Sequence, residues 1–284
     1  MQFKLKDYQE GAVADVLVAL RDARELHCNM DRRVAFALSA ITGAGKTVMA
    51  SAVFEALFDG SEEFGFDGDP SAVVLWVTDD PNLNEQTRFR IMEASDRLGP
   101  SRLVVIRDRF DVERLDRGRV YFLNRQKLTA KTFITHSNTR TYTLWETIAN
   151  TINDPERTLY LVLDEAHRGM RAGRTSEEQD RSTTVLRLIN GHNGTPPVPI
   201  VWGISATVER FSEAMNGAEG RTTLTNVTVD NAAVQASGLL KGHDHARPAG
   251  RGRRFRHRAR PRGREGLPRG VGAVGGLRGA GEPA

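Results

Sequence analysis

Between an apolar run ending at Ser39 and a helix-forming stretch beginning at Lys46 lies Ala40-Ile41-Thr42-Gly43-Ala44-Gly45-Lys46-Thr47, and this junction constrains the fold more than any other segment. Small residues in such a turn let successive backbone N–H groups point inward. The following helix adds the positive end of its dipole, so the loop is shaped for phosphate. Thr42, Gly43, Ala44 and Gly45 supply the cradle, Lys46 a cation, and the Thr47 hydroxyl a ligand for Mg²⁺. Ala40 stands where the general pattern has its first glycine.

The rest of the chain agrees with a strand, turn and helix of this kind. From Val34 to Thr207 short apolar runs alternate with amphipathic segments, the pattern of an α/β fold with a doubly wound parallel sheet. Buried strands are expected at Val34–Ser39, Val73–Val77, Leu103–Ile106, Val120–Leu123, Leu159–Leu163 and Ile200–Ile204, all rich in Val, Ile and Leu. Helices are expected over about 8–26, 46–58, 82–97, 142–152 and 178–190. Segments 59–70 and 191–199 read as surface loops. Trp76 and Trp202 fall in buried strands and are expected in the core. Cys28, the single cysteine, forms no internal disulfide and is expected half-buried on a helix. No Cys/His cluster has zinc-ligand spacing.

A second motif is Leu161-Val162-Leu163-Asp164-Glu165-Ala166-His167, an apolar strand ending in two acids. Doubly wound sheets place ligands at strand ends. There Asp164 is placed to hold Mg²⁺ and Glu165 to orient and deprotonate an attacking water, the two roles that hydrolysis of a nucleoside triphosphate requires of carboxylates.

Together the two motifs resemble motifs I and II of the DEAD/DEAH-type superfamily 2 helicases. Further matches follow in order over about residues 3 to 240, and what they imply rests on that resemblance. Gln9, in Tyr8-Gln9, is similar to the upstream glutamine that reads adenine. Gln86, in Pro81-Asn82-Leu83-Asn84-Glu85-Gln86, resembles a motif that contacts the nucleic-acid backbone, as does Arg125 in Leu123-Asn124-Arg125-Gln126. Ser205 and Thr207, in Ser205-Ala206-Thr207, match the element that couples ATP state to domain closure, and His167 resembles the residue linking the ATP site to it. The context Asp164–Met170 and the run Ala236–Lys241 look most like the Res subunit of type III restriction enzymes. The resemblance implies an ATP-dependent DNA helicase or translocase motor using ATP and Mg²⁺, with RNA an open alternative. It also implies a modification or specificity subunit as partner, if the system is of restriction type.

Residues 1–240 carry a net charge of −5 and residues 241–284 a net +9, so the basic balance belongs to the tail. In that tail 22 of 44 residues are Arg or Gly, too little apolar surface for folding. The expected division is an ATP-binding domain over 1–240 and a disordered tail over 241–284. Read one base later, codons for Gly242–Pro248 are compatible with Asp-Thr-Ile-Met-Leu-Asp-Leu, which favours a reading frame lost near codon 241. The alternative is a basic arm on a catalytically silent nucleic-acid-binding protein. Relatives place ATP between two motor domains, the second supplying an arginine finger worth on the order of 10³ to 10⁵ in rate. The chain alone is therefore expected to bind ATP weakly, hydrolyse it very slowly and not translocate. No run approaches the roughly 20 apolar residues of a membrane span, and the start lacks a signal-peptide core, so a cytoplasmic protein without a membrane partner is expected.

Overall fold

A strand covered on both faces must be apolar at every position, and each of the six apolar runs becomes such a strand in the computed structural model, which describes residues 1–78, 81–128, 140–164, 184–215, 218 and 220–239. They are β1 (Arg33–Ser39), β2 (Ala72–Thr78), β3 (Leu103–Val105), β4 (Arg119–Asn124), β5 (Thr158–Asp164) and β6 (Ile200–Ser205). Two short strands not expected from sequence, β7 (Arg221–Thr223) and β8 (Val227–Thr228), complete the sheet. The order is β3-β4-β2-β5-β6-β1-β7, with β8 also beside β1. All these pairings are parallel. The chain divides into Met1–His243 and Asp244–Ala284, the second lying outside the described residues, so the expected tail is not described.

The helices are α1 (Asp7–Met30), α2 (Lys46–Asp59), α3 (Pro81–Ala94), α4 (Leu144–Ile152), α5 (184–190), α6 (Val208–Met215) and α7 (Asn231–Ala236), with a 3₁₀ turn at Arg125–Leu128. Of the helix expected over 178–190, the first six residues lie outside the described residues. Thr143 starts α4 by a reciprocal cap: its hydroxyl accepts from Glu146 N at 3.2 Å while its own N–H donates to the Glu146 carboxylate at 2.8 Å. α1 runs four residues past its expected end and stops where Asp31 turns left-handed. Cys28 is thereby corrected from half-buried to exposed. The buried stripe of α1 follows Val13, Val16, Leu17, Leu20 and Ala23, and Cys28 lies off it.

Alternate residues of each strand face opposite ways and feed two cores. Phe36, Trp76, Phe122, Val162 and Trp202 join α1 and α2 on one face. Leu75, Leu123, Leu161 and Val201 join Leu144, Leu188 and Phe211 on the other. Phe54 of α2 sets its ring edge-on to both Trp76 and Trp202, at 5.8 and 5.9 Å.

β7 and β8 together act as one interrupted strand along the free edge of β1, the first beside Arg33–Ala35 and the second beside Leu38–Ser39. In the gap the Asn226 side chain stands in for a backbone carbonyl and accepts from Ala37 N at 2.8 Å. At the opposite end of the sheet from the phosphate loop, Arg221 inserts its guanidinium among backbone carbonyls. Nη1 donates to Val34 O and Pro199 O (3.1 and 3.2 Å), and Nη2 to Ile189 O and Val198 O (both 2.7 Å). Burial, with Arg33 nearby, lowers its pKa to about 10, so it remains a cation at neutral pH.

Gly203 lies in mid-strand because Phe211 of α6 occupies the space a side chain would take: a Cβ there would stand 2.1 Å from the ring. Gly203→Ala is expected to cost about 3 kcal/mol of stability in urea unfolding, the upper range for overpacking. A loss under about 1 kcal/mol would show that α6 is free to retreat.

Candidate functional site

The strands that end in chemistry are neighbours. β6 lies between β5 and β1, with Asp164 opposite Ile204 and Ser39 opposite Ser205. The carboxylate of the Asp-Glu pair, the hydroxyl of the Ser-Ala-Thr element and the root of the phosphate loop therefore share the C-terminal edge of three adjacent strands. Ala40 N donates to Ser205 O at 3.1 Å, so the loop begins hydrogen-bonded to β6. Asp164 is half-buried, Ser205 buried and Thr207 half-buried, with Thr207 N 3.5 Å from the Ser205 hydroxyl. Glu165 and His167 lie outside the described residues.

Gly43 and Gly45 both take positive φ, 89° and 79°. Gly45 is fixed twice over, since a Cβ there would also stand 2.4 Å from the Gln9 amide nitrogen. Thr42 and Gly43 are exposed, Ala44 is buried, and Lys46 and Thr47 are half-buried at the start of α2. Among the described residues no side chain caps that helix and its first turn holds no acid, so its dipole favours an anion there. The Lys46 ammonium reaches back across the turn to Ala40 O (2.8 Å) and Ile41 O (3.3 Å). The donor set fits a magnesium nucleotide, because the Thr47 hydroxyl and the Asp164 carboxylate are hard oxygen ligands of the kind Mg²⁺ takes.

Gln9 is only 4% exposed. Its Oε1 accepts from Lys6 N at 3.0 Å and its Nε2 donates to Ala44 O at 3.1 Å. Tyr8 donates its hydroxyl to the same carbonyl at 3.0 Å. The phosphate loop is thus fastened from outside by two adjacent residues of α1. Sequence reasoning assigned only Gln9; the signal for Tyr8 was its place beside it. Burial pushes the Tyr8 phenol pKa up, which keeps the hydroxyl a donor.

Of the two residues expected at nucleic acid, Gln86 is exposed on α3. Its neighbour Glu85 pairs with Arg107 at 2.7 Å, and Asn84 is buried, accepting from the Thr78 hydroxyl at 2.6 Å. Arg125 is instead 4% exposed at the start of the 3₁₀ turn. A residue following a strand directly inherits the strand's burial, and the exposed side chain of that motif is Gln126.

A parallel sheet whose β1 ends in a phosphate loop, with an acid closing β5 two places away, defines a P-loop nucleotide-binding domain of the RecA-like kind. The chain belongs to the family described as type III restriction enzyme, res subunit, whose sequence profile matches residues 2–210. No curated protein sequence matches it. Similar solved structures include the crystal structure of the DUF1998 helicase MrfA bound to DNA and AMPPNP, at 16% identity, TM-score 0.42, and coverage of 80% of this chain and 27% of that one. They also include a nuclease-deletion mutant of the Type ISP restriction-modification enzyme LlaGI in complex with a DNA substrate mimic, at 15% identity, TM-score 0.41, and coverage of 85% and 21%. The chain spans about a quarter of each. Among the described residues no helix is long and apolar enough to cross a membrane.

Proposed function

We propose that this chain is the ATP-binding motor half of a DNA helicase or translocase of the type III restriction Res kind. The observation that carries the reading is the convergence of the Lys46 loop, Asp164 and Ser205 on one edge of the sheet. In this reading the loop N–H groups and Lys46 hold the β- and γ-phosphates, and Thr47 and Asp164 hold Mg²⁺. Glu165 orients the attacking water. Gln9 borders the adenine, its amide lying against the loop. Ser205, Thr207 and His167 pass the state of the site to the rest of the motor, and Ser205 is suited to this because its carbonyl holds the loop's first N–H. Gln86 faces DNA, with RNA the competing polymer. Arg125, being buried, contributes through the turn it anchors. A modification subunit is the partner that the family implies.

The test is ATP binding to the full chain with Mg²⁺ and with EDTA. Wild type is expected to bind roughly tenfold more tightly with Mg²⁺, and Asp164→Asn to lose that gain while keeping its metal-free affinity within about twofold. Binding that ignores both Mg²⁺ and Asp164 removes the site from nucleotide chemistry.

A further inference from the structure

The far end of the described chain returns to the phosphate loop. Val229 N donates to Ser39 O at 2.8 Å, the last bond before the loop begins. Asp230 caps α7 by accepting from Ala232 N at 3.0 Å, and α7 buries Val234. The turn that follows, Ser237-Gly238-Leu239, brings Ser237 beside Tyr8 of α1 and Leu239 beside Gly45. The Ser237 hydroxyl is within hydrogen-bonding reach of the Tyr8 phenol. Leu239 Cδ2 is 3.8 Å from the point at which a side chain on Gly45 would begin.

Folding accounts for Val229 and Val234, which are buried, but not for Leu239, which is 43% exposed. The turn nevertheless holds it in place: Ser237 Oγ donates to Val234 O at 2.7 Å, and Leu239 N reaches Ser237 Oγ at 3.3 Å. Gly238 takes a φ of 71° to make the bend. The exposed side chain of Leu239 leaves an apolar surface beside the phosphate loop.

A triphosphate seated in the loop must carry its nucleoside out past one end of it. At the α1 end the polar groups are already engaged, since the Tyr8 hydroxyl and the Gln9 amide both donate to Ala44 O. What remains open there is the half-buried Tyr8 ring and the Leu239 side chain. Nucleobases are flat and largely apolar on their faces, and such surfaces receive them.

We propose that Leu239, held by the Ser237 turn beside Tyr8 and Gly45, forms a wall of the nucleoside pocket and contacts the base of the bound nucleoside triphosphate. The proposal rests on the nucleotide reading above and adds a specificity-determining residue more than 190 positions from the loop.

The test compares two ligands in Mg²⁺, ATP and inorganic tripolyphosphate, which carries the phosphates without the nucleoside. In the full chain Leu239→Asn, neutral and of similar size, is expected to weaken ATP about fivefold, to leave tripolyphosphate within about twofold, and Leu239→Met to restore ATP. If both ligands weaken together, Leu239 acts by shaping the loop and the proposal is overturned. It is equally overturned if ATP binding does not change. A wild-type chain that binds neither ligand overturns the nucleotide reading and this proposal with it, a result told apart from the others because it appears before any substitution is made.

Discussion

Lys46→Ala in the full chain is expected to weaken ATP binding on the order of 100-fold by calorimetry, with the thermal midpoint moved by no more than about 2 °C. The ammonium bridges Ala40 O and Ile41 O across the mouth of the loop, where phosphate oxygens would exchange for those carbonyls. Charge-assisted bonds to phosphate are roughly twice as strong as neutral ones, and the half-buried position of Lys46 limits screening by salt. Arginine is not expected to rescue the site, because its planar fork is wider than an ammonium and the turn closes tightly around Ala44. The fold should survive, since α2 is held by Met49, Val53, Phe54 and Leu57 in the core. ATP affinity unaltered by the substitution would move the phosphate site elsewhere.

A stability effect as large as that of Gly203→Ala is expected at Arg221. Arg221→Met keeps the length and removes every donor, leaving the carbonyls of Val34, Ile189, Val198 and Pro199 without their guanidinium. Two effects oppose each other. Burying a cation with no carboxylate beside it among the described residues is costly, in keeping with a pKa lowered to about 10 by burial, and the variant is relieved of that cost. Stranded carbonyls cost about 1–3 kcal/mol each where water does not replace the donor; Pro199 O keeps its bond from Val34 N at 2.8 Å, and with the other three involved this term still wins. A net loss of about 3 kcal/mol is expected in urea, with the slope of the transition unchanged. The folded pKa of about 10 lies below the unfolded value, and both lie far above neutrality. The same number of protons is then bound in both states, so the loss should not vary between about pH 5 and 9. A variant as stable as wild type would show that water replaces the guanidinium.

What could be read from the sequence, and what could not, follows from where the information resides. The six long strands carry their own signal, because burial on both faces demands runs such as Val73-Val74-Leu75-Trp76-Val77. The loop from Ala40 to Thr47 is similarly self-contained, its conformation depending on glycines at fixed places. Arg221-Thr222-Thr223 and Val227-Thr228 carry no such run; they are strands because β1 offers an open edge, and that is a property of the assembled sheet. Asn226 illustrates the limit, since an asparagine in a loop reads as a turn former until a backbone N–H 189 positions away is seen to need its oxygen. For Arg125 the motif implied only a nucleic-acid role, and its burial became legible through its attachment to the end of β4. Leu239 comes to Gly45, and Ser237 to Tyr8, through tertiary folding alone.

The interrupted strand along β1 also sets the smallest piece of this chain that can be expected to fold by itself. The family profile ends at residue 210, after the last of the shared motifs, and a fragment cut there would hold every signature of the site. It would also leave one flank of β1 bare, because Arg221–Thr228 supplies that flank and Val229 ties down the final residue before the loop. Such a fragment would present an open strand edge to its own copies, so aggregation is its expected fate in expression. The boundary of the motif and the boundary of the foldable unit are about 25 residues apart, and the second has to guide where this protein is cut.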